Sequence, residues 1–362
     1  MSKTSIFLTG ATGYIGGAVL ARLLEHPSAD TFEITVLTRS AEKAKKLEAF
    51  GVKPVVGTYA QLDRLEALAE QSHVVFSCAE SDNKPAIEAI LRGLRKRHAT
   101  IGDLPILVHT SGTGVISQPT KGLSVTETIY SDLNVEQIKS IPSTAIHRTI
   151  DLAVVEADEQ GYAHTHIVLP SLVYGVATNA LVKAGIANPI SIQIPDLVRA
   201  SVSRRQGGMI GEGKSRWPNV HIDDLADLYI KLFDAITRDP EGTGHGWAGF
   251  YFGENGEHSW YEISKAISVA LVELGVSKSE EPTPFTKEEL IKYWGDEDVG
   301  LYSGSTSRCR ADRARAIGWK PEYTTADMVK SIKPEVEAIW KQTQEQGEIK
   351  LKIPQMIAEM QI

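Results

Sequence analysis

Near the start of the chain, Ser5-Ile6-Phe7-Leu8-Thr9 runs into Gly10-Ala11-Thr12-Gly13-Tyr14-Ile15-Gly16-Gly17 and then into Ala18-Val19-Leu20-Ala21-Arg22-Leu23-Leu24. The first run has the apolar character of a short buried strand, and the last that of a helix. A strand, a turn with glycines at three-residue spacing and a helix start leave few folds open. Gly10 allows the tight turn. Gly13 has no Cβ, so the backbone can approach phosphate oxygens, and Gly16 lets the helix pack on the strand. The free N–H groups and positive dipole end of that helix then face a negative charge. This is the pattern of a dinucleotide pyrophosphate site, with Gly10, Thr12, Gly13, Tyr14, Ile15 and Gly16 as the expected contacts.

Phe32-Glu33-Ile34-Thr35-Val36-Leu37 reads as the second strand. About 20 residues past the glycines, an NAD-binding chain places an acid on the ribose hydroxyls. Here that place holds Thr38, followed by Arg39 and Ser40, with Lys43 one turn later. An acid would repel a 2′-phosphate, whereas a guanidinium grips one bidentately. Arg39 and Ser40 therefore point to NADP(H).

Strand patterns recur at 52–56, 73–79, 106–110 and 166–169, alternating with helical patterns at 41–50, 62–69, 86–98 and 146–160. The alternation predicts right-handed βαβ units and an α/β fold, a Rossmann-type doubly wound parallel sheet. Ligands of such sheets sit at the carboxyl ends of the strands, so Ala79, Thr110, Ser111, Thr113 and Pro170 should border the crevice. Residues 1–175 form the expected cofactor domain. Residues 176–362 form a smaller substrate lobe and lid, with 218–275 partly returning to the first domain through a helix opened by Asp223 or Asp224. The last thirty residues read as a surface helix with a loose tail.

A net charge of −8 argues against nucleic acid or anionic lipid as partners, and the basic run Arg92–His98 reads as the solvated end of a helix. The uncharged stretch from Thr4 to Ala21 carries the glycines and no cleavage site, so it is not a signal segment. No other apolar run is long enough to span a bilayer. Two cysteines, Cys78 and Cys309, make neither a disulfide framework nor a metal pattern, and a cytoplasmic location fits. His164 and His166 share a strand face but lack a third ligand, so no metal is expected.

With Thr9–Gly16, His109-Thr110-Ser111-Gly112, Leu169-Pro170-Ser171-Leu172-Val173-Tyr174-Gly175 and Val220-His221-Ile222-Asp223-Asp224-Leu225-Ala226 in hand, the chain resembles the extended and atypical branches of the short-chain dehydrogenase/reductase family, which include nucleotide-sugar epimerases and NmrA-like proteins. The likeness runs from Ile6 to about Leu271. It implies hydride transfer, with a tyrosine handling the proton and a lysine four residues later holding the ribose and lowering the tyrosine's pKa. This chain departs from that pattern. The family spacing puts Ser143 or Thr144 in the tyrosine's place and His147 or Arg148 in the lysine's, with Asp151 one turn on, on the same face as His147. His147, Tyr174 or Ser111 through water remain as proton sources, or His147-x-x-x-Asp151 is only a structural helix pair.

Trp217, Trp260 and Tyr130 are candidates for a bulky apolar pocket or for the core. Arg199, Arg204 and Arg205 fall where the family's nucleotide-sugar enzymes hold a diphosphate, and His221 with Asp223 reads as an anchor between lobes. The leading expectation is an NADPH-dependent reductase of a carbonyl or imine in a small, partly hydrophobic molecule, with an altered acid/base set. A redox-neutral isomerase or cyclase, or a non-enzymatic NADP(H) sensor, would use the same scaffold.

Overall fold

The computed structural model describes residues 3–347 and 350–352. The loose tail expected beyond them lies outside the described residues. Seven strands form one parallel sheet: β1 (Thr4–Thr9), β2 (Phe32–Thr38), β3 (Lys53–Val56), β4 (Val74–Ser77), β5 (Ile106–Thr110), β6 (His164–Pro170) and β9 (Phe250–Gly253). Their order across the sheet is β9-β6-β5-β4-β1-β2-β3. Strand order reverses between β1 and β4, and in a doubly wound sheet that switch point opens the ligand crevice.

Helices cover both faces: α1 (Tyr14–Leu24), α2 (Ala41–Glu48), α3 (Leu62–Glu70), α4 (Lys84–Ile101), α5 (Arg148–Glu159) and α7 (Ile222–Arg238). Strands covered on both sides need continuous apolar runs rather than alternation. Ile6, Phe7 and Leu8 of β1 are all fully buried, as are Phe250, Tyr251 and Phe252 of β9. Leu225, Leu228, Tyr229, Leu232 and Phe233 of α7 join this same core.

A second core lies C-terminal to it. The short strands β7 (Leu172–Tyr174), β8 (Arg216–His221) and β10 (Glu257–Ser259) form a three-stranded sheet, with β8 parallel to β7 and antiparallel to β10. Helices α6 (Gln193–Arg204), α8 (Trp260–Glu273), α9 (Lys287–Trp294), α10 (Glu297–Tyr302) and α11 (Thr325–Gln346) pack with it; helices of four or five residues are left unlabelled. The chain thus returns to the first core through α7 and β9, while α8 belongs to the second.

Several expectations shift. Helix α11 lies at the surface as expected, but one face is anchored in the second core. Met328, Ile332, Val336 and Ile339 recur at its 3.6-residue period and are buried in the second core, each contributing about 1.5–3 kcal/mol by burial. Strand β6 starts at His164 because His164 and Thr165 are already buried against β5. Strand β4 stops at Ser77, and Cys78 and Ala79 turn into the crevice. Helix α5 starts at Arg148, later than the apolar pattern implied. No described helix is long and apolar enough to cross a membrane.

Candidate active site

A cleft of about 1070 Å³ opens over the carboxyl ends of these strands. Its size slightly exceeds the ~300–1,000 Å³ of ordinary ligand pockets, leaving room for a dinucleotide beside a small molecule. Gly10, Thr12, Gly13, Tyr14, Ile15, Gly16, Arg39, Ala79, Thr110, Ser111, His147 and Pro170, all expected from the sequence, line it.

The glycine turn is built to hold a phosphate. Gly10 has φ +78°, and a Cβ there would lie 2.8 Å from the Cys78 carbonyl oxygen. A Cβ on Gly16 would lie 2.4 Å from the Gly10 carbonyl oxygen, so the turn and the first helical turn touch through backbone alone. No side chain caps α1 and no acid occupies its first turn, which leaves its N–H groups and positive end to an anion in the cleft. Tyr14 contributes its backbone position, since its hydroxyl donates to the Gly175 carbonyl at 2.6 Å. These features fit a dinucleotide pyrophosphate.

Arg39 sits exposed on the rim beside Thr38, Gly57, Thr58 and Tyr59. It forms no ion pair with a described residue, while Ser40 lies off the cleft wall, its hydroxyl capping α2 by accepting from the Lys43 N–H at 3.2 Å. Ser40 is thus engaged as a helix cap, while the Arg39 guanidinium is open to the rim of the cleft.

The end of the cleft where proton transfer was expected departs most from the sequence reading. His147 is the N-cap of α5 in the left-handed region, φ 66°, rather than a residue inside the helix. Its Nδ1 therefore lies 2.7 Å from Oδ1 of Asp82, not beside Asp151. Asp82 was not anticipated. It follows Glu80, itself left-handed at φ 47°, in a turn held by the Asn83 side chain, which donates to Glu80 and caps α4 by accepting from the Ala86 N–H. The other ring nitrogen, Nε2, lies 3.2 Å from where a Gly112 Cβ would be and 3.3 Å from a Gly114 Cβ. A side chain at either glycine would crowd the imidazole there.

The hydroxyl of Tyr302, at the end of α10, lies 2.4 Å from the same Gly114 Cβ position. His147 and Tyr302 thus meet over Gly114 from the two lobes. Burial pushes the Tyr302 phenol well up, although a hydrogen bond with Ser117 opposes the shift. Its ring stands edge-on to Trp217 at 5.7 Å, and with Val299 and Ile146 these rings give this end of the cleft an apolar wall. No local signal marked Tyr302, which lies in a stretch that reads only as polar helix.

The remaining candidates go elsewhere. Arg148 is buried away from the cleft, donates to the Ile138 carbonyl at 2.8 Å, and lies 5.3 Å from the Trp247 ring centre and 5.7 Å from that of Phe250. It cannot hold a ribose. Asp151 is fully buried, neither oxygen with a well-formed hydrogen bond, and burial pushes its carboxyl up to about 6 against the pull of Ser111, His147 and Arg148. Tyr174 donates to the Thr324 carbonyl at 2.8 Å inside the second core and does not line the cleft. Ser143 and Thr144 are exposed in turns before α5, so the tyrosine's usual place is vacant. Ser111 lines the cleft, and its hydroxyl makes no well-formed hydrogen bond with a described residue, although it bears on the Asp151 carboxyl.

Trp260 is core, Tyr130 lies off the cleft, and only Trp217 of the three aromatics lines it. Arg199 pairs with Asp196 at 2.7 Å and Arg204 with Glu289 at 3.2 Å, and neither reaches the cleft. Nothing here holds a sugar-nucleotide diphosphate in the way those arginines suggested. His221 caps α7 and stacks on Tyr323 at 3.8 Å, a structural use.

Residues 10–103 match a family model described as NAD(P)H-binding. The chain is 30% identical over 334 residues to the oxidase ucsJ of an Acremonium species, covering 87% of this chain and 92% of that one. The chain belongs to the extended short-chain dehydrogenase/reductase family. It is also 26% identical to a 4-hydroxy-2-methyl-3-oxo-4-farnesyl-3,4-dihydroquinoline-1-oxide ketoreductase of Stigmatella aurantiaca, over 85% of this chain and 84% of that one. In fold it is similar to dTDP-glucose 4,6-dehydratase of Bacillus anthracis, with a TM-score of 0.60, 16% identity, and coverage of 95% of this chain and 98% of that one. Within the family, this member keeps the NAD(P)-binding turn and carries no tyrosine–lysine pair on α5.

Proposed function

We propose that this protein is an NADPH-dependent reductase of a carbonyl or imine in a small, partly hydrophobic molecule. The observation that carries the reading is the pairing of His147 with Asp82, facing the Tyr302 hydroxyl over Gly114 at the apolar end of the cleft. Relatives named as an oxidase and a ketoreductase support redox chemistry on this scaffold.

The glycine turn and the start of α1 would hold the pyrophosphate, and Arg39 the 2′-phosphate. Bound there, the nicotinamide supplies a hydride to the electrophilic carbon. The protein's own residues manage the proton. Asp82 accepts from Nδ1–H of His147 and fixes the ring, leaving Nε2 toward the cleft, where an Nε2–H would serve as general acid toward the substrate oxygen or nitrogen. Tyr302 keeps its proton because burial disfavours the phenolate, so it acts as a hydrogen-bond donor that places the reacting oxygen. Trp217 and Val299 shut water from that end. Two unpaired cysteines suit a reducing, cytoplasmic setting.

The test incubates pure protein with NADPH and a panel of aldehydes, ketones and cyclic imines. Loss of the nicotinamide absorbance with a reduced product supports the reading. A product formed with no cofactor consumed would replace it by a redox-neutral reaction, and cofactor binding without any turnover by a sensor.

A further inference from the structure

The other end of β6 carries a second group of chemically competent side chains. His164 opens that strand, and its Nε2 lies 3.8 Å from Oε1 of Glu241. His245, from the loop between α7 and β9, stacks on His164 with ring centres 4.2 Å apart and planes 15° from parallel. One ligand atom from each of His164, Glu241 and His245 lies within 4.8 Å of the others. His166, two residues along the same strand, is fully buried with its Nδ1 3.0 Å from the Gly244 carbonyl oxygen and its ring centre 6.4 Å from that of His245.

We propose that His164, His245 and Glu241 bind one divalent transition-metal ion of the zinc class, clipping the α7–β9 loop to the start of β6. Two imidazoles and a carboxylate, with a fourth position for water, are an ordinary zinc donor set. The outer shell is in place. Both carboxylate oxygens of Asp158 lie 2.9 Å from Nδ1 of His245, and Asp158 is itself held by the Thr165 N–H at 2.8 Å. A carboxylate on Nδ1 orients the ring, raises its basicity and leaves Nε2 for an ion. Glu241 and Asp158 together supply two negative charges for a divalent cation.

The loop bearing His245 is also preformed. The Gly244 carbonyl accepts from the Tyr251 hydroxyl at 2.8 Å, and Gly246 takes φ +56° where a Cβ would lie 2.6 Å from Asp158 Oδ1. Tetrahedral ligand atoms about 2.0–2.1 Å from zinc stand roughly 3.3 Å apart, so the donors must close by up to about 1.5 Å and the stacked His164 and His245 rings must tilt to face one ion. Glu241, with its side chain 80% exposed, is free to close its share of that gap, and His245, on the loop, is the ring that would tilt. The seven residues of β6 put this site about 20 Å from Pro170 and the cleft, so its role is structural and separate from the reductase reading.

The experiment titrates Co²⁺ into tag-free, chelator-stripped full-length protein. Intense visible bands of four- or five-coordinate Co²⁺ at one equivalent, displaced by Zn²⁺, are expected. So is a zinc-dependent rise in Tm of a few degrees at about a hundredfold excess over Kd. Glu241→Ala should weaken binding at least tenfold, and His245→Ala should remove the bands. If His245→Ala fails to fold, the exposed Glu241→Ala alone decides. No bands up to 1 mM Co²⁺ with no shift in Tm, or equal binding by the folded variants, overturns the assignment.

Discussion

His147 and Asp82 stand 65 residues apart in the chain, yet their side chains meet at 2.7 Å. The left-handed N-cap of α5 and the left-handed turn at Glu80 bring them together. As an oriented acid, His147 should account for much of the turnover. We expect His147→Gln to lower kcat by about 10²–10⁴ and Asp82→Asn by about 10–100-fold, with NADPH affinity within about twofold in both. Steady-state kinetics beside cofactor titration checks this. Unchanged kcat in both variants would make the pair structural.

Tyr302 has a different task. Tyr302→Phe keeps the edge-on packing against Trp217 and removes only the hydroxyl, so Tm should move by no more than about 1 °C. Loss of one donor to the reacting oxygen should reduce kcat by about 10²–10³. A loss confined to KM would show that the phenol binds substrate without favouring the transition state.

Cofactor choice rests on Arg39. Replacing it by aspartate puts a negative charge where the 2′-phosphate would lie, and a hydrogen bond to a charged group contributes about 1.5–3 kcal/mol. Arg39→Asp should weaken NADPH by about 10–100-fold and leave NADH nearly unchanged, read by fluorescence titration. Equal loss for both cofactors would remove Arg39 from phosphate recognition.

Asp151 ties stability to pH. Its carboxyl is held up at about 6, above the ordinary 3.8, chiefly by burial. The unfolded chain ionises this group near pH 4 while the native state keeps it protonated until about pH 6. Its contribution is therefore present below pH 4, declines between 4 and 6, and is gone above. Asp151→Asn should gain about 1–3 kcal/mol relative to the parent on going from pH 4 to pH 8. Urea unfolding at the two pH values measures it, and a gap that does not widen with pH would refute the shift.

Gly16 is held by contact rather than by dihedral angle. Gly16→Ala would set a Cβ against the Gly10 carbonyl oxygen, which is backbone and has little room to yield. About 1–3 kcal/mol of destabilisation is expected from thermal unfolding, together with weaker binding of either cofactor as the turn shifts.

The sheet and the phosphate turn were legible because local signals decide them. Apolar runs at strand length and glycines at set spacing act within a few residues, and the structure follows them from β1 to β6. The proton-transfer end was not. His147 was visible, but its partner depended on where α5 begins, and that start moves with the left-handed residue at 147. Asp82 and Tyr302 reach the site through tertiary placement, one from a loop after β4 and one from the second lobe. Arg148 misled because spacing cannot tell a cleft-facing arginine from one laid over Trp247 and Phe250. The polar composition of α11 marked it as a surface helix, and its apolar residues, recurring every three or four positions, form the face that packs on the second core.

Gly114 is approached from both halves of the molecule, by Ile146 and His147 from one and by Tyr302 from the other. The imidazole arrives on the cofactor-bearing half and the phenol on the half that walls the substrate. Should the halves part, the phenol would leave with its own half and the imidazole would remain beside the nicotinamide. On the proposed reading, an acceptor in the cleft would meet both donors only while the two halves are in register.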